Sequence, residues 1–305
     1  MRIGLTGGAG TVDRMVEQAE RAEADGFSSL WYASAVAGDP LIAMALAGRA
    51  TSSIELGTSV LQTYTCHPVL QANRALATAS AMGRAGFTLG IGPSHKPAIE
   101  DSYGLSYDHA GRHSEEYLRV LNPLLRGEAV AFEGDDLRVH ASPSARPPDH
   151  EIPVLLAALA PRMLRVAGEM TAGTIVWMGN AQAIETHVAP RITTAATGAG
   201  RPAPRIVAGL PVAVHDDVAA ARARAAEVFA GYGGLANYRR LLDIGGASGP
   251  AEAAIVGDEA SVAAQIEALF DAGATDVWAA PFPVGDDAKG SRARTRALLQ
   301  ELARA

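Results

Sequence analysis

"LGTSVLQTYTCHP", residues 56–68, decides how the rest of the chain is read. Leu56, Val60 and Leu61 suit a buried strand, yet Gly57, Thr58 and Ser59 interrupt them with small and polar side chains. The segment then reaches His67-Pro68, and a proline is well suited to the first position of a helix. A strand that turns small and polar just before a helix start is the carboxyl end of a βα unit, the place where such units hold things.

Working outward, the same unit recurs. Short Val, Ile and Leu-rich runs bounded by glycine predict strands near 2–7, 27–32, 54–61, 87–92, 153–158, 173–178, 206–214 and 275–280. Amphipathic stretches predict helices over 12–24, 40–50, 68–82, 161–170 and about 291–303. Eight strands with crossover helices predict an α/β fold, a (β/α)8 TIM barrel, with its site at the carboxyl ends of the strands. Two connections exceed a simple crossover, about 93–151 after the fourth strand and 216–273 after the seventh. Long insertions on one barrel face serve as lids or binding loops, so residues 1–305 are expected to form one domain.

Composition narrows the function. The chain is 48% hydrophobic and 19% charged, as in an ordinary globular enzyme, and its formal net charge is −7. No dense run of Lys or Arg offers a nucleic-acid surface, so an anionic ligand needs a local, shielded pocket. The longest apolar run, "IPVLLAALAP", is about half of the ~20 residues a membrane helix needs. One cysteine, Cys66, permits no intrachain disulfide, and Met1 leads straight into a strand without a signal-peptide pattern; the expectation is the cytoplasm.

Three segments run from Gly through a short strand to Trp, ending at Trp31, Trp177 and Trp278. At strand ends such rings either plug the barrel or wall its mouth. "GGAGTV" at 7–12 lacks the third glycine of a dinucleotide fingerprint, and "LGIGPSHK" lacks the Gly-Lys-Ser/Thr of a phosphate loop. His109 and His113 are four apart without the intervening Glu of a zinc helix, and no metal is expected; His140, His150, His187 and His215 read as surface or capping residues. "ALAPRMLRVAG" at 158–168 carries more: small residues lead into Pro161, leaving free backbone N–H groups at a helix start aimed out of the mouth, a setting that attracts phosphate. The alternative is a tight βα turn.

Four segments, "LGTSVLQTYTCHPVLQANRALA", "FTLGIGPSHK", "VLLAALAPRMLRVAGEMTAGTIVW" and "GDEASVAAQIEALFDAGATDVWA", together resemble the luciferase-like monooxygenase superfamily, in particular its branch using the deazaflavin coenzyme F420. The resemblance implies a bulge after the third strand with a non-prolyl cis peptide, matching Ser59-Val60, which with Thr58 backs the coenzyme ring. It places the phosphate at Ala158, Leu159, Ala160 and Pro161, with Met178 and Gly179 assisting. Some relatives carry a catalytic acid where this chain has His95, and an imidazole with an ordinary pKa of about 6.5 exchanges protons at neutral pH. Lys96 beside it is placed to orient an anionic substrate, and Trp31, Trp177 and Trp278 to wall an apolar or aromatic one.

Two departures matter. Sugar-phosphate dehydrogenases of the branch have an Asp-His pair where this chain reads Ser34-Ala35, so the expectation is reduction of an electron-poor C=C, C=N or C=O with hydride from reduced F420. Ala172 stands where the family commonly has Asp. The alternatives are an FMN-dependent monooxygenase and a carrier that binds a flavin-like cofactor without turnover. The expected partner is a small-molecule substrate, with neither nucleic acid nor membrane, and a homodimer is possible since family members often dimerise.

Overall fold

The computed structural model describes residues 1–34 and 38–305; Ala35, of the Ser34-Ala35 pair, lies outside the described residues. The strands are β1 (Ile3–Gly7), β2 (Ser29–Tyr32), β3 (Glu55–Thr58), β4 (Leu61–Gln62), β5 (Phe87–Gly92), β6 (Val130–Glu133), β7 (Arg138–Ala141), β8 (Val154–Ala157), β9 (Gly173–Trp177), β10 (Arg205–Val214), β11 (Ile255–Gly257) and β12 (Asp276–Pro281). Parallel pairing runs β1, β2, β3, β5, β8, β9, β10, β12 and returns to β1, so the eight-stranded barrel closes. Helices between the strands bury their apolar faces on the barrel's outside, which is why these strands are apolar on both faces.

Inside the barrel, tryptophans are matched to glycines across neighbouring strands. Trp31 is in register with Gly57, where a Cβ would lie 2.3 Å from the indole; Trp278 is in register with Gly209, where a Cβ would lie 2.0 Å away. Large beside absent side chains fill the interior at native density. Trp31, Leu155, Ile175, Val207 and Trp278 form this inner cluster.

The first insertion contains the Ala110–Leu125 helix and the antiparallel hairpin of β6 and β7. Buried Glu116 fastens the hairpin by accepting the backbone N–H groups of Asp135, Asp136 and Leu137, each at 2.9 Å. The second long connection is less of an insertion than its length suggests. β11 adds a parallel strand beside the end of β10, and the Glu259–Asp271 helix serves as the crossover to β12. Only the helical stretch between Val218 and Ala253 remains to cover the mouth. Ile255–Gly257 is too short for its pattern to show in the sequence.

At the amino-terminal end the barrel is clasped by charges from separate strands. Arg205 bridges Glu55 Oε1 at 2.9 Å and Asp276 Oδ1 at 2.7 Å, Arg2 reaches Asp276 at 2.7 Å, and Thr88 donates to Glu55 at 2.5 Å. Burial raises the Asp276 pKa, but Arg205, Thr275 and Arg2 more than offset it, and the carboxyl stays below its ordinary 3.8. A carboxyl depressed on folding stabilises the native state above its unfolded pKa, and that contribution is lost as pH falls through the folded one. Asp276 is 2% exposed. Asp276→Ala is expected to cost about 1 to 3 kcal/mol in urea unfolding at pH 7, since it removes the shared carboxylate and leaves Glu55 alone to pair Arg205 and Arg2; the loss is expected to shrink as pH falls below the unfolded carboxyl pKa of about 3.9 and to end below the lower folded one.

Candidate functional site

The register around the opening segment shows what happens at its strand end. Gly57 pairs with Thr88 and Leu61 with Ile91, so this strand advances four residues while β5 advances three. One extra residue makes a bulge, and the Ser59-Val60 peptide within it is cis. The ladder is broken there, and Thr58 repairs it: its hydroxyl donates to Gly90 O at 2.7 Å and accepts from Gly90 N at 2.8 Å. Ser59 N donates to Tyr32 O at 2.7 Å on the other side. A Cβ on residue 90 would stand 1.8 Å from Thr58 O, so glycine is required.

The bulge faces a cavity of ≈ 520 Å³ at the carboxyl ends of the strands, within the range of small-molecule sites. Ser59 and Val60 line it together with Ala157, Leu159, Ala160, His95, Trp177 and Trp278. Among the described residues no carboxylate lines it, and its one permanent charge is Arg162.

That charge sits where two helices begin. The Pro161–Met170 helix starts after Ala160, and the Ala110–Leu125 helix after His109 at φ 56°; neither cap residue supplies a side-chain hydrogen bond, so the first-turn N–H groups stay open to a ligand. Ala110, Gly111, Arg162 and Met163 from those turns all line the cavity. Arg162 lies against Gly111, where a Cβ would come within 2.8 Å of its Cδ, and it pairs loosely with Glu115 at 3.6 Å. Buried His187, expected at the surface or in a cap, instead bonds Leu159 O at 2.8 Å through Nε2 and holds the turn from behind.

His95 follows β5 and enters the cavity half-buried, its ring 5.1 Å from that of Tyr238. Burial lowers its pKa from 6.5, so at neutral pH the imidazole is mainly uncharged. His113 is also held low by burial; it stacks on Tyr64 at 3.9 Å and bonds Thr63 at 3.1 Å, a packing role.

The other residues singled out in the sequence divide by position. Trp177 and Trp278 stack at 5.0 Å and wall the cavity. Trp31 does not: it is 0% exposed, donates to Ser29 Oγ at 2.9 Å and plugs the barrel beneath. Lys96 points away, its side chain 66% exposed and 3.6 Å from Glu100. Thr58, Ala158, Met178 and Gly179 lie behind the lining, and Pro161 borders a separate groove on the outside. Ala172 packs on the inner tryptophan cluster and does not line the cavity. The sequence reading passes over Tyr107 of the first insertion and Phe229, Tyr232, Asn237 and Tyr238 of the second, all in the wall. The run "GYGGLANY" holds Tyr232, Asn237 and Tyr238, but only folding shows that they hang over the mouth.

A family model described as luciferase-like monooxygenase matches residues 1–288. The chain belongs to the luciferase-like monooxygenase family. Among luciferase-like relatives, a 5,10-methylenetetrahydromethanopterin reductase of Methanolobus tindarius is 25% identical over 214 residues, covering 70% of this chain and 64% of the relative. An F420-dependent hydroxymycolic acid dehydrogenase of Mycobacterium tuberculosis is 31% identical over 234 residues, covering 69% and 62%. The match thus spans less than two thirds of either relative. The solved coenzyme F420-dependent tetrahydromethanopterin reductase from Methanopyrus kandleri superposes with a TM-score of 0.75 at 22% identity, covering 99% of this chain and 98% of that one. An FMN complex of a type II Baeyer–Villiger monooxygenase from Pseudomonas putida gives 0.71 at 17% identity, covering 99% and 96%. At these identities the superpositions establish the luciferase-like barrel.

Removing only the Thr58 hydroxyl tests the bulge. Thr58→Val is expected to cost about 2 to 4 kcal/mol in urea unfolding because it leaves both backbone groups of Gly90 unpaired, with Thr58→Ser restoring most of the loss.

Proposed function

We propose that this protein is an F420-dependent oxidoreductase that reduces an electron-poor C=C, C=N or C=O bond of an apolar or aromatic small molecule. The observation that carries the reading is that the Ser59-Val60 bulge, two uncapped helix starts with Arg162, and His95 share one cavity that, among the described residues, no carboxylate lines. These residues fit a flat ring with a phosphate-bearing tail, and the relatives named for F420 support the choice of coenzyme.

When bound, the coenzyme supplies a hydride from C5 of its reduced ring. Ser59 and Val60 would support the ring from the barrel side of the cavity. Open N–H groups near Leu159, Ala160 and Gly111, with Arg162, hold the phosphate through charge-assisted bonds. His95, in its imidazolium form, would supply the proton that must accompany the hydride when a C=C, C=N or C=O bond is reduced. Trp177, Trp278, Phe229, Tyr232 and Tyr238 hold the substrate and exclude water, which strengthens every polar contact inside.

Binding titrations and turnover check this. F420 is expected to bind far more tightly than FMN; tight FMN binding with oxygen uptake overturns the reading. His95→Ala is expected to lower kcat about 100-fold or more. With His95 held below its ordinary pKa by burial, the acid form grows as pH falls below 6.5, so the parent rate should rise there and the Ala variant should lack that rise.

The reading extends to assembly and setting. Residues 1–305 act as one unit, supported by β12 closing the barrel on β1. A second copy covers the outer face of the Pro40–Ala50 helix, which carries one charged residue, Arg49, and is apolar all round. Ile42 and Leu46 are 58% and 50% exposed, and Leu70 on the neighbouring helix is 54% exposed. Leu46→Glu with Ile42→Glu is expected to turn a dimer into a monomer in analytical ultracentrifugation; an unchanged mass excludes this face. No helix among the described residues is long and apolar enough to cross a membrane, and the free thiol of Cys66 suits a reducing cytoplasm.

A further inference from the structure

His95 has no hydrogen bond to its ring nitrogens among the described residues, so its aim into the cavity depends on the backbone before it. That backbone is unusual. Ser94 adopts φ 66°, the left-handed region that a serine seldom occupies without support. This turn sends the His95 ring inward while Lys96, one residue on, faces Glu100 outside.

Two side chains support the turn from different parts of the fold. Tyr107, in the first insertion, donates its hydroxyl to Ser94 O at 2.8 Å. Gln62, three residues beyond Ser59, donates from Nε2 to Ser94 Oγ at 3.2 Å. Tyr107 is itself steadied by Tyr64, with ring centroids 5.3 Å apart, and Tyr64 donates to Asp108 O at 2.9 Å and stacks on buried His113. On the far side of Ser94, Thr63 N donates to Gly92 O at 2.9 Å, and Ile99 N donates to His95 O at 3.0 Å.

We infer that Tyr107 and Gln62 are positioning residues for His95: by clamping the left-handed Ser94 they fix the imidazole at a set place relative to the Ser59-Val60 bulge. The proton donor and the ring support are thereby one mechanical unit, because Gln62 belongs to the strand that emerges from the bulge. Losing either clamp lets Ser94 relax toward an ordinary φ and turns the imidazole out toward water. This rests on the proposed role of His95 for its catalytic consequence, while the geometry can be tested without coenzyme.

The test is the titration of His95 in the coenzyme-free protein, followed by NMR of ring-labelled histidine and assigned by the signal missing in His95→Gln. Other titratable or charged groups around the ring and its turn are Tyr238 and Tyr232 from the second insertion, Tyr107 from the first, Arg162 across the cavity, and Lys96 with Glu100 outside. Tyr107→Phe removes one hydroxyl and no charge at neutral pH. The expected result is that the His95 midpoint, held below 6.5 in the parent by burial, rises toward 6.5 in Tyr107→Phe and in Gln62→Ala. With reduced F420 and 2-cyclohexen-1-one as the probe acceptor, kcat should fall about 10- to 100-fold with coenzyme KM unchanged. An unmoved midpoint in a folded Tyr107→Phe protein overturns the inference, and if that variant misfolds, Gln62→Ala decides on the same criterion. Should the midpoint move while His95→Gln turns over normally, the clamp stands and the proton role of His95 falls.

Discussion

The shape of the cavity depends on one side chain replacing a piece of β-ladder. Where the third barrel strand carries its extra residue, Gly90 loses its regular strand partners, and the Thr58 hydroxyl serves both its N–H and its C=O. Buried backbone groups left unpaired would each cost about 1 to 3 kcal/mol. With that cost avoided, the backbone of Ser59 and Val60 can leave the barrel wall and become the floor of a site. Gly90 is the other half of the arrangement, since any side chain there would occupy the space of Thr58 O.

Charge is handled with similar economy. In a chain of net charge −7 without a basic surface, two helix starts come to one corner of the cavity beside a single guanidinium. Backbone N–H groups are rigid and carry no net charge, so they lose little on meeting a ligand. Balanced ion pairs elsewhere serve a different end. The Arg2, Glu55, Arg205 and Asp276 cluster sits at the opposite mouth, where it joins β3, β10 and β12 to the residue before β1. The ion cluster and the cavity thus occupy opposite ends of the barrel.

The aromatic wall illustrates how a common scaffold acquires a particular site. Trp177 and Trp278 are barrel residues stacked on each other, but the other rings that Trp177 meets, Phe229 and Tyr232, come from the segment between Val218 and Ala253. Much of the aromatic wall therefore comes from a segment outside the barrel strands. That segment is distinct in sequence from the Ser59-Val60 bulge and from the turn into the Pro161–Met170 helix.

By itself the sequence determined the barrel, because alternation of apolar runs and amphipathic stretches follows directly from burying strands on both faces. It also marked the helix start at Pro161, whereas the bulge at Ser59-Val60 followed only from the resemblance of four segments to the luciferase-like family, since Gly57, Thr58 and Ser59 by themselves suit an ordinary buried strand as well. It could not separate Trp31 from Trp177 and Trp278. All three end similar segments, and only the packing of Trp31 over Gly57, deep in the barrel, makes it a plug. Nor could it foresee His187 behind the Leu159 turn, Tyr107 against Ser94, or Lys96 facing outward. Those outcomes arise from contacts between residues far apart in the chain and from a single left-handed turn, and local pattern carries no information about either.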